Sequence, residues 1–81
     1  MTTKAFGRAK KKASKDGLLE MSEITFVGSP ADLRKIAAFI VKSAAELERH
    51  GKEFGHNHLR DERDLGPWTD EGVDVIITQA Q

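Results

Sequence analysis

Between Ser29 and Gly51, apolar side chains recur as Leu33, Ile36, Ala37, Ile40, Val41, Ala44 and Leu47, the spacing of one face of an α-helix. Ser29-Pro30-Ala31-Asp32 has the form of a helix start. Ser29 accepts from the unpaired N–H groups, Pro30 suits the first helical position, and Asp32 reaches back as the acidic partner. Gly51 supplies a left-handed stop just after Arg49-His50, whose positive character suits a helix C-terminus. The spacing therefore predicts a helix over about residues 30–50, with Asp32, Lys35, Lys42, Glu46 and Arg49 on the solvent side. Such a helix is too short for a coiled coil, so its apolar face must dock on another element.

A sheet is the simplest such element. Ile24-Thr25-Phe26-Val27 is β-branched and aromatic and is bounded by Gly28-Ser29-Pro30. Leu18 to Glu23 extends the same strand, and Asp16-Gly17 favours a tight turn, so residues 4–13 are expected to pair with 18–27. Lysine in quantity is what exposed edge strands carry. Beyond the helix, Phe54 to Arg60 forms a third strand candidate, residues 61–72 a polar loop broken by Gly and Pro, and Val73 to Thr78 a fourth strand. The expected fold is a single α+β domain of order ββαββ, one helix packed on a four-stranded antiparallel sheet, with hairpins over about 4–27 and 54–78. Apolar residues of both parities in the second and last strands leave a second sheet face to cover. A further copy of the chain is the simplest cover, so a homodimer is expected.

Composition narrows the classes. At 81 residues the chain buries only about 60% of its unfolded surface, so its core is thin. It has no Cys, which removes disulfides and thiolate metal sites. No run approaches the roughly 20 apolar residues needed to span a bilayer, and no apolar stretch follows the basic start, so a cytoplasmic location is expected. Lys+Arg and Asp+Glu both number 13, but residues 1–20 carry a net +4 and residues 21–81 a net −4. Opposite poles of this kind either complement each other in the fold or face partners.

Three segments are candidates for chemistry. In a strand, His56 and His58 point to one side, a geometry that suits two metal ligands, with His50, Glu53 or Asp61 as a third, or acid–base work. The plainer alternative is a pair of sheet-face histidines bonded to backbone or acidic neighbours. No phosphate loop or nucleophile motif accompanies them, so no catalysis, metal or cofactor is expected. Arg8 with Lys10, Lys11 and Lys12 suits phosphates, but the balanced net charge and the lack of interleaved aromatics other than Phe6 disfavour nucleic acid as a partner. The third segment is acidic: Asp61, Glu62, Asp64, Asp70 and Glu71 stand against Arg63 and surround Trp68, the chain's one tryptophan. Trp is a typical interface anchor, and an acidic rim steers a basic partner; the alternative has Trp68 folded back on the sheet and the acids merely solvated.

Gly17-Leu18-Leu19-Glu20, Glu23-Ile24-Thr25-Phe26, Ser29-Pro30 with Leu33-Arg34, Ala37-Ala38-Phe39-Ile40 and Phe54 through Asp61 together resemble the immunity protein 32 family of bacterial polymorphic-toxin systems. The likeness spans about residues 5–78, and His56-Asn57-His58-Leu59 is its most distinctive piece. The resemblance implies a small α+β protein that neutralises a cognate toxin by stoichiometric binding. It supplies no catalytic residues. With the acidic segment, the expected partner is a basic protein toxin such as a nuclease, contacted by Asp61, Glu62, Asp64, Trp68, Asp70, Glu71, His56 and His58.

Overall fold

The computed structural model describes residues 3–10, 18–62 and 72–79. The expected turn at Asp16-Gly17, the cations Lys11 and Lys12, and Asp64, Trp68, Asp70 and Glu71 lie outside these residues. Four strands and one helix follow in the order β1 (Lys4–Ala9), β2 (Met21–Val27), α1 (Pro30–His50), β3 (His56–His58) and β4 (Ile76–Thr78). The fold is α+β. The strands form two antiparallel pairs, β1 with β2 and β3 with β4, where a continuous four-stranded sheet had been expected. One backbone hydrogen bond, Val73 N–H to Thr3 O (3.2 Å), joins the start of β1 to the segment leading into β4. The ladder goes no further because β3 and β4 are only three residues each.

The helix begins and ends where its caps dictate. The Ser29 hydroxyl accepts from Asp32 N–H (3.1 Å), Pro30 occupies the first turn, and Gly51 closes the helix at φ 55°, with its N–H donating to Leu47 O. The docked side differs from the predicted one. The buried residues are Ile36, Phe39 and Ser43, whereas Leu33, Ala37, Ile40, Val41 and Ala44 are exposed. Phe39 decides the rotation, since the largest apolar side chain gains most from burial. Turning Phe39 inward carries Asp32, Lys35, Lys42 and Glu46 to half-buried positions instead of the solvent face.

The core consists of Ile36, Phe39 and Leu59, against which Phe26, Val75 and Ile77 pack, with Phe54 also buried. It thus sits between α1 and the second hairpin, and β1–β2 reaches it mainly through Phe26 at the end of β2. A shift in register between Arg8 and Ala9 brings Ala9 opposite Met21, and the Ser22 hydroxyl donates to Arg8 O across it (3.1 Å). Beneath that shift, a Cβ on Gly7 would meet the Glu23 carbonyl oxygen at 2.7 Å, so only glycine fits.

Candidate functional site

The second hairpin positions the histidines. β3 pairs with β4 in the register His56 to Thr78, Asn57 to Ile77 and His58 to Ile76. His56 and His58 do share a side, their rings edge to face with centroids 4.9 Å apart. Asn57 points the other way, where its amide donates to Ser43 Oγ (3.2 Å) and Glu46 Oε2 (2.9 Å) on α1. The buried Ser43 hydroxyl is thereby partnered, which accounts for a polar residue inside a thin core.

His58 and Asp74 form the centre of a compact polar cluster. The His58 Nδ1 lies 2.7 Å from Asp74 Oδ2, and Arg60 N–H donates to Asp74 Oδ1 (3.2 Å). Burial opposes the charged form of Asp74, but the hydrogen bonds from His58 and from Arg60 N–H, with the charges of both residues, outweigh it and hold the carboxyl below its ordinary value. An ionised carboxylate only accepts, so Nδ1 of His58 carries the hydrogen. Arg60 Nη2 donates to Gly72 O (2.7 Å), and Leu59 N–H to Val75 O (2.9 Å). A short 3-10 turn over Leu59–Asp61 closes with Glu62 N–H on Leu59 O. The outcome is a staple: residues 58–60 are bonded to 72–75 at four points, bringing together the two ends of the acidic, Trp-bearing segment.

The expected site residues separate into three groups. His56 and Asp61 are exposed on the outer surface of this staple. His58 and Glu62 are half-buried and engaged within the chain; Glu62 Oε2 accepts from Lys42 Nζ on α1 at 2.5 Å. Asp64, Trp68, Asp70 and Glu71 belong to the segment between the stapled ends, outside the described residues. Among the described residues no three His, Asp or Glu side chains gather as metal ligands, so His50, Glu53 and Asp61 do not complete a site with the histidine pair.

Asp74 and Thr3 escaped sequence reasoning. Asp74 stands alone among Val73, Val75, Ile76 and Ile77, and a single charge within an apolar strand is a signal that a partner is needed. Thr3 is buried and donates to Asp32 Oδ2 (2.9 Å), so the carboxylate expected to close the helix cap faces the first strand instead. Comparison with protein-family models, with curated proteins and with solved structures found no match. The likeness to immunity proteins rests on the segments quoted above.

Proposed function

We propose that the chain is a stoichiometric protein-binding module of the immunity type, which neutralises a cognate toxin by occupying a basic surface on it. The observation that carries this reading is the staple of His58, Arg60, Gly72 and Asp74, which joins the two ends between which residues 61–71 run in sequence. Fixing the ends of a loop reduces the entropy lost when it binds, so the acids and Trp68 are offered at lower cost than on an untethered segment. Engagement of the polar groups also favours binding over catalysis: the Asp74 carboxylate is bonded to both His58 and Arg60, an arrangement that holds backbone in place. Carboxylates around an aromatic anchor match the charge pattern of a protein that itself binds phosphates, which makes a nuclease the favoured toxin class. The proposed setting is the cytoplasm, where such a toxin would act.

The test is a pull-down with the tagged chain from the cells that make it, beside the same chain carrying Asp61→Lys, Asp64→Lys and Asp70→Lys together. The reading expects one partner at equimolar yield with the unchanged chain and loss of that partner with the triple variant. Equal recovery by both would remove the acidic segment from the interface.

A further inference from the structure

The outer flank of α1 is apolar and, among the described residues, exposed. Leu33 is 39% exposed, Ile40 41% and Val41 70%, and Ala37 and Ala44 are exposed beside them. Leu33, Ala37, Ile40, Ala44 and Leu47 follow one another at alternating steps of four and three, the seam along which two helices pack. Large and small residues alternate along it. Arg34, Val41 and Glu48 form a second row at steps of seven, with opposite charges equally spaced on either side of Val41.

We infer that this flank is a contact between two copies of the chain, with the helices antiparallel about a two-fold axis near residues 38 and 39. In that arrangement Leu33 of each copy sits over Ala44 of the other, and Ile40 over Ala37, so the two large exposed side chains of the seam each meet a small one. The second row runs along one flank of the same contact. The two copies of Val41 are offset by about 7.5 Å along the axis, and each Arg34 is offset by the same amount from Glu48 of the other copy. Helical side chains lean towards their own N-terminus, so in antiparallel helices these two lean towards each other. A parallel pair would set Ala37 on Ala37, leave gaps, and put the Arg34–Glu48 rows of the two copies on opposite sides of the seam. Charge, size and exposure therefore select one partner, a second copy, and one direction. The contact need not support the helix, which is already folded on Ile36 and Phe39, so a length inadequate for an isolated coiled coil is sufficient here. The acidic segment and its staple are separate features, and the dimer does not depend on the reading proposed for them.

Sedimentation velocity over a concentration series reads the assembly, and a chain without cysteine allows its direction to be read by cross-linking. The expected result is a concentration-dependent dimer whose dissociation constant rises about tenfold or more with Ala37→Glu, at an exposed position that leaves the helix folded by circular dichroism. Arg34→Glu and Glu48→Arg each weaken the dimer singly and restore it when combined. Under mild oxidation, Leu33→Cys mixed with Ala44→Cys gives a disulfide-linked pair, whereas Leu33→Cys alone does not. A monomer throughout the series, a dimer indifferent to Ala37→Glu, or ready self-linkage of Leu33→Cys would each overturn the proposal.

Discussion

Asp74 is the residue on which the second hairpin turns. It is bonded to His58 and Arg60, two residues sixteen and fourteen positions earlier in the chain, and its carboxyl is held below the ordinary value of 3.8. A group whose pKa is depressed by folding contributes stability that is complete above its unfolded pKa and is lost as pH falls through the folded one. The urea midpoint of the protein should therefore decline on acidification below about pH 4. Asp74→Asn should lower the midpoint at neutral pH and flatten that acid limb; an unchanged acid slope would show that other carboxylates dominate it. The same residue marks the limit of what was legible. That His56 and His58 share a side follows from strand alternation, and the structure has them so. Their partner across the hairpin depends on the register of two three-residue strands, which local pattern does not determine. The plainer of the two readings, histidines bonded to acidic neighbours, is the one His58 fulfils.

At the scale of elements, the ends of α1 were legible because caps are local: Ser29, Pro30 and Gly51 each act within a turn of themselves. Its orientation was not. The helix is apolar over more than half its circumference, so periodicity allows two docked sides, and the size of Phe39 against Leu59 decides between them. This makes a contrast between neighbours. Phe39→Ala should cost about 3–5 kcal/mol, enough to unfold most of a small domain, while Ile40→Ala in dilute solution should change stability by about 0.5 kcal/mol or less. Thermal denaturation of both variants decides it, and comparable losses would place Ile40 in the core instead. The division of the strands into two pairs has a related cause. Alternation and turn chemistry identify hairpins, but whether hairpins join edge to edge depends on strand length, and among the described residues they meet through the hydrogen bond from Val73 N–H to Thr3 O.

Taken as a whole, the molecule separates its tasks. The core lies between α1 and the second hairpin, the first hairpin is tied on through Thr3 and Phe26, and the outer flank of α1 faces away from the core. Among the described residues no helix is long and apolar enough to cross a membrane. The residues on either side of the acidic segment are fastened to each other by His58, Arg60 and Asp74. On this account the protein acts by occupancy, and occupancy has a signature that catalysis lacks. The most direct test is to titrate the purified chain into a fixed amount of the toxin proposed as its partner while following the toxin's activity. Neutralisation by binding predicts a linear fall that reaches its floor at one chain per toxin molecule. Complete protection at a small fraction of an equivalent, or full toxin activity in excess of the chain, would contradict it.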